Sequence, residues 1–159
     1  MSAHLPILIV VVPLVAALVV PLLGRRTPGV AHAVTLAALI FALVASGLVL
    51  ARVVVDGVWR YQLGGWAPPW GIEYVVDPLS GGMMVLVSFL ALAASTYAWS
   101  YLLATDPGRI GLFDSLYLLL VTGLLGIVAT GDLFNLYVFL EISAIAAYAL
   151  LAMGGDRAT

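Results

Sequence analysis

Five apolar runs, at about residues 5–23, 31–55, 78–103, 112–130 and 133–153, occupy most of this 159-residue chain. Each is close to or above the about 20 residues that a helix needs to cross a bilayer. In hydrocarbon every backbone N–H and C=O must find its partner within the structure, which leaves the α-helix and the closed β-barrel. A barrel would show short alternating segments, and the chain has none. With 64% hydrophobic and only 9% charged residues, the composition fits no soluble domain of this size. The expected fold is an all-α integral membrane protein of about five transmembrane helices, one membrane domain over residues 1–159. The first run is a poor cleavable signal, because no basic residue precedes it and Arg25 and Arg26 follow it. Pro13 is expected to kink it, which membrane helices tolerate.

Several function classes fall away at once. There is no cysteine, so disulfides and thiolate metal sites are excluded. The net charge of −2 gives a nucleic-acid partner no electrostatic basis. No phosphate-binding glycine loop, metal-ligand spacing or nucleophile triad is present, so neither cofactor nor metal is expected. All six basic residues are arginines. Arg25, Arg26, Arg109 and Arg157 fall on one side of a five-helix arrangement, and Arg52 and Arg60 on the other. By the positive-inside rule the N-terminus faces outward.

The residue with the strongest chemical claim is Glu141. It sits inside the last run, nine residues past Asp132, hence roughly 13 Å into the membrane. An ionised carboxylate there costs several kcal/mol and needs a partner, a water cavity or a bound proton, so it marks a candidate functional site. The bland alternative is an acid that only ties one helix to another. Tyr137 and Tyr148 lie at i−4 and i+7, on the face of Glu141, and with Ser143 and Asp132 they are candidate pathway residues. Asp132 is equally read as an ordinary helix cap.

Elsewhere the chain reads structurally. The segment 56–77 carries two alternating stretches, 59–63 and 72–76, around a Gly/Pro turn, which predicts a small extracytoplasmic β-hairpin between helices two and three. Its aromatic residues suit a membrane interface, and Glu73 reads as solvated. Asp77-Pro78 opens helix three as N-cap and N1. Gly81, Met84, Ser88, Ala91 and Ser95 form a small-residue stripe for close packing, with Met83 and Met84 read as core. Gly123 and Gly126 admit a close neighbour, for which helix five is a candidate. Asp114 reads as complementing a helix dipole, and His32 as an isolated interfacial histidine.

The stretch 131–141, GDLFNLYVFLE, together with LGGWAPPWGIEYVVDPLS at 63–80 and TYAWSYL at 96–102, resembles the N-terminal part of the D-type membrane component of Mrp-type multisubunit cation/proton antiporters. That family is related to the proton-pumping antiporter-like subunits of respiratory complex I and of membrane-bound hydrogenases. The resemblance implies a longer protein, with an initial three-helix unit followed by two inverted five-helix repeats. The initial unit would cover about 1–104, and the start of an incomplete repeat about 111–153. It implies an outward N-terminus, and a glutamate, here Glu141, that hands protons to a lysine on a later interrupted helix. This chain contains no lysine, so the expectation is a fragment or one piece of a split subunit.

The function this implies is a component of a multisubunit sodium/proton antiporter in a prokaryotic plasma membrane, a transporter subunit more than an enzyme. Its expected partners are the other subunits, including a chain with the later helices, and its cargo protons and Na+. Two alternatives remain: a proton-translocating membrane-arm subunit of an NADH–quinone oxidoreductase or hydrogenase, and a structural scaffold.

Overall fold

The computed structural model describes residues 4–24, 27–66 and 70–155. Five helices dominate: α1 (Leu5–Gly24), α2 (Pro28–Asp56), α3 (Pro78–Thr105), α4 (Ile110–Ala129) and α5 (Leu133–Gly155). All five are long and apolar enough to cross a membrane, as the five runs predict. Arg25, Arg26 and Arg157, which carry most of the arginine bias, lie outside the described residues.

Local chemistry explains where these helices begin. Pro28 and Pro78 stand at the start of α2 and α3, where a missing N–H costs nothing. At α3 the Asp77 carboxylate accepts the Ser80 amide at 2.7 Å, and Ser80 Oγ accepts the Asp77 amide at 2.8 Å. This reciprocal box satisfies two amides that a helix start leaves open. At α5 the Asp132 carboxylate accepts the Asn135 amide at 2.9 Å. Only residues 130–132 separate α4 from α5, so the two form a tight antiparallel hairpin. Pro13 sits on the buried face of α1, with Ile9, Val10, Ala16, Ala17 and Val20, and the helix continues through it.

Helix α4 is the hub. It packs against α1, α2, α3 and α5, and half of its span is buried, against 17% for α5. Small residues allow this. A Cβ on Gly24 of α1 would lie 2.7 Å from the Gly111 Cα of α4. A Cβ on Gly123 would lie 2.7 Å from the Ser143 Cβ and 2.9 Å from the Phe139 carbonyl oxygen of α5, and one on Gly126 would run into the Phe139 ring. Helix five is thus the neighbour that these glycines admit. The stripe read from the sequence of α3 is its buried face: Gly81, Met84, Ser88, Ala91 and Ser95. Met83 is not core; it is 42% exposed, a quarter-turn off that stripe.

Between α2 and α3 the chain makes an antiparallel hairpin of β1 (Trp59–Gln62) and β2 (Glu73–Val76), pairing Trp59 with Val76 and Gln62 with Glu73. It lies at the bundle end where α5 begins. Glu73 corrects the solvated reading. It is buried, and its carboxylate receives Arg60 Nη1 at 3.0 Å; Arg60 reaches it from the paired strand.

Two tests follow from this packing. Gly123→Ala should destabilise the protein by about 1–3 kcal/mol, since the new methyl meets backbone of α5 that cannot rotate away. Gly82→Ala, with nothing within 4 Å of the added carbon, should be neutral or slightly stabilising; melting curves of the two variants in one detergent compare them directly. The second test uses pH. Hydrogen bonds from the Ser80 backbone and hydroxyl hold the Asp77 carboxyl below the usual carboxylate range. A group lowered on folding contributes stability above its unfolded value and loses it as pH falls through the folded value. The melting temperature should therefore fall across that acidic window more steeply in the wild type than in Asp77→Asn.

Candidate functional site

The helix that carries Glu141 is attached by a narrow face. Asn135, Phe139, Ser143 and Ala146 are buried against the bundle, at spacings of four, four and three. Glu141 falls on the opposite side and is exposed, eight residues or about 12 Å from the start of α5. Tyr137, one turn before it, is 60% exposed, and its phenol interacts with the Glu141 carboxylate. Tyr148 shares the outward side at 72% exposure. The structure thus brings together three of the sequence-derived candidates, Glu141, Tyr137 and Tyr148, in an otherwise apolar surface with Phe134 and Ile145.

The other two candidates lie elsewhere. Ser143 is on the packed face, its hydroxyl donating to the Leu140 carbonyl at 2.9 Å and its Cβ facing Gly123. Residues two positions apart on an α-helix are about 200° apart, so Ser143 and Glu141 cannot share a face. Asp132 caps α5 at the bundle end. Chemically, the outward group can accept and donate a proton, with a phenol beside it to share the hydrogen bond. Among the described residues no cluster of three or more His, Cys, Asp or Glu side chains could hold a metal ion.

Sequence reasoning missed what sets the rotation of α5. The link between α4 and α5 adds to the hairpin: Gly131 N donates to the Glu73 carbonyl at 2.9 Å, and Tyr74 bridges Thr130 in antiparallel fashion. A Cβ at Gly131 would collide with Val75. Asn135 closes the clamp. Its Nδ2 donates to Thr130 Oγ1 at 3.1 Å, and its side chain interacts with the buried Tyr74 phenol. Burial pushes the Tyr74 phenol above its ordinary value, which the Asn135 contact partly offsets. The available signal was Asn135 itself, a polar side chain three residues past a cap in an apolar run.

A second omission lies at the far end of the bundle. His32 and Asp114, read separately as incidental and as a dipole partner, are both buried, with His32 Nδ1 at 3.0 Å from Asp114 Oδ2. Their separation of 82 positions in sequence hid the pair.

Five membrane-length helices and a carboxylate at membrane depth make this a multi-pass membrane protein with an ionisable group on one outward helix face. No family model matches the chain. It is 54% identical over 158 residues to the N-type component of NADH-quinone oxidoreductase from Desulforudis audaxviator (strain MP104C), covering 99% of this chain and 32% of that protein. It is 42% identical over 156 residues to the D-type component of a probable K(+)/H(+) antiporter from Rhizobium meliloti (strain 1021), covering 95% of this chain and 28% of that one. A polypeptide in the solved structure of the Mrp complex from Dietzia sp. DQ12-45-1b superposes with a TM-score of 0.79 at 29% identity, over 94% of this chain and 27% of that one. Its relatives thus include D-type components of cation/proton antiporters and the N-type component of NADH-quinone oxidoreductase, each matched over part of its length. It spans about a third or less of the length of the relatives it matches.

If Asn135 sets the rotation of α5, Asn135→Ala should lower stability by about 1–3 kcal/mol, because it removes the bond to Thr130 Oγ1 and the polar neighbour of the buried Tyr74 phenol. Adding Tyr74→Phe removes that hydroxyl and should recover part of the loss in the same melting assay.

Proposed function

We propose that this chain is a component of a multisubunit monovalent cation (Na+)/proton antiporter and that Glu141 is a station on its proton pathway. The observation that carries the reading is the placement of Glu141: a carboxylate at membrane depth, on the one face of α5 that the bundle leaves uncovered. A carboxyl there is accommodated by binding a proton, which neutralises it, or by a donor from a neighbouring element that offsets its charge, and either makes it a group whose proton responds to a neighbour. The antiporter names among the relatives and the likeness to part of the Mrp complex support the same reading. Tyr137 and Tyr148 line the path, and Asp132 and Ser143 hold the helix.

The reading extends to a hetero-oligomeric complex in a prokaryotic plasma membrane, with the first three helices as an initial unit and α4 and α5 as the start of a repeat. The chain then acts as a transporter subunit and carries no redox chemistry of its own. The 54% identity to an NADH-quinone oxidoreductase component favours a second reading, in which redox chemistry in other subunits, or in those of a related hydrogenase, drives protons past the same glutamate.

The test is proton flux in membrane vesicles that contain the assembled complex. Glu141→Ala and Glu141→Gln should each reduce flux at least about tenfold with the complex still assembled, because neither variant binds and releases a proton. Wild-type flux elicited by a Na+ gradient alone supports antiport, whereas flux that appears only with an electron donor supports the redox-driven reading. Full flux in both variants would remove Glu141 from the pathway.

A further inference from the structure

At the end of the bundle away from the β-hairpin, three helices converge on one imidazole. His32, on the second turn of α2, is 4% exposed. Its Nδ1 lies 3.0 Å from Oδ2 of Asp114 on α4, which is 1% exposed. The ring stacks on the indole of Trp99 of α3, with centroids 4.4 Å apart and planes at 14°. Its other nitrogen, Nε2, is buried without a hydrogen-bond partner among the described residues, and the only other such side-chain atom is Ser95 Oγ. Ser95 lies one turn from Trp99 on α3, and seven residues from Ser88, whose hydroxyl meets Ser46 of α2 at 3.4 Å. Two unpartnered polar atoms thus border the seam between α2 and α3, the kind of place that holds internal water.

Helix packing alone does not call for this arrangement. A buried carboxylate is costly unless its charge is matched, and apolar side chains of similar volume often hold helices together as well or better. The charge balance around Asp114 is sparse. Helix α1 carries no ionisable residue. On α3 the phenols Tyr97 and Tyr101 are exposed. On α4, Tyr117 donates to the Ala91 carbonyl. Just before α4, Arg109 pairs with Asp106 at 3.1 Å. The remaining charges of α2, Arg52 and Asp56, pair with each other at its far end, and Glu141 is on the outward side of α5. Arg25 and Arg26 lie outside the described residues. Among the described residues, His32 is therefore the one ionisable side chain seen to meet Asp114.

We propose that His32, Asp114 and Trp99 form a second proton-binding site, separate from Glu141, that takes up and releases one proton at His32 Nε2. The geometry assigns the roles. Nδ1–H stays on the Asp114 carboxylate, which fixes the tautomer and leaves the Nε2 lone pair as the acceptor. On loading, an N–H bond forms at Nε2 and one O–H bond of a hydronium ion or water in the seam breaks. The imidazolium then balances Asp114, and the indole face beneath it favours a cation. On unloading the proton returns to the seam. No electron moves. Ser95, on the same seam, is placed to hold the water that delivers the proton. The site is a property of this chain's own helices and does not depend on the transport reading.

The experiment is infrared difference spectroscopy of the intact complex, with isotope-labelled histidine, stepped across the pH range in which the complex stays assembled. The wild type should give a histidine ring signal, with a matched change in one buried carboxyl or carboxylate band. Both should vanish in His32→Gln, and the carboxyl component should vanish in Asp114→Asn, while the signals of other histidines persist. A paired variant, His32→Phe with Asp114→Leu, fills the space without charge and should assemble even if the single variants do not; it should lack both signals. Spectra of the wild type and the paired variant that superpose at every pH would overturn the proposal and leave the pair a fixed structural contact.

Discussion

The approach of α4 to its neighbours is the constraint on which the rest of this molecule depends. In lipid no hydrophobic force presses one apolar helix against another, so association rests on how closely backbones can come. At one end α4 touches α1 through Gly111 and Gly24, and further along it receives α5 at Gly123 and Gly126. Ser115 reinforces the first contact by donating to the Ala17 carbonyl at 2.7 Å. With α4 held on several sides, α5 is left with a single strip of attachment, and its remaining surface, Glu141 included, is turned away from the bundle. The same glycines that make the packing tight therefore decide which way the carboxylate points.

The β-hairpin takes its place in that arrangement. It reads from the sequence as an aromatic-rich cap on one end, and Trp66 and Trp70 are indeed exposed. The strand Glu73–Val76, however, reaches across the bundle end and pairs with the α4–α5 link through Gly131 and Thr130. A rotation of α5 by one residue would swing Glu141 about 100° and break the Asn135 contacts at the same stroke. The hairpin and the glycine strip thus fix the two ends of one lever, and neither alone would hold the orientation.

Much of this was legible because membrane helices obey few rules. Length, the Asp77 and Asp132 caps, the small-residue stripe of α3 and the alternating stretches of the hairpin are all local signals, and each corresponds to an observed element. What escaped was long-range polar pairing. His32 and Asp114 look unremarkable singly, and Glu73 looks like a loop acid, because a partner 82 or 13 positions away leaves no mark on the residues between. Ser143 escaped for a different reason: proximity to Glu141 in sequence suggested a shared site, whereas the helical turn put them on opposite sides.

The two buried or membrane-depth carboxylates of the helices illustrate two solutions to one energetic problem. Asp114 is paired within the chain, with an imidazole of α2 that stacks on Trp99 of α3. Glu141 is left with only a phenol from its own helix and an open apolar surface around it. A carboxylate paired within the chain answers to its own partner, and a change there is felt by three helices at once. An outward one takes its state from whatever lies against that face. A complex that must couple events in separate subunits has use for the second kind, since the response of the carboxylate then reports the approach of a neighbour. The internal pair and the open acid thus differ in what they respond to, and the difference follows from which face of its helix each residue occupies.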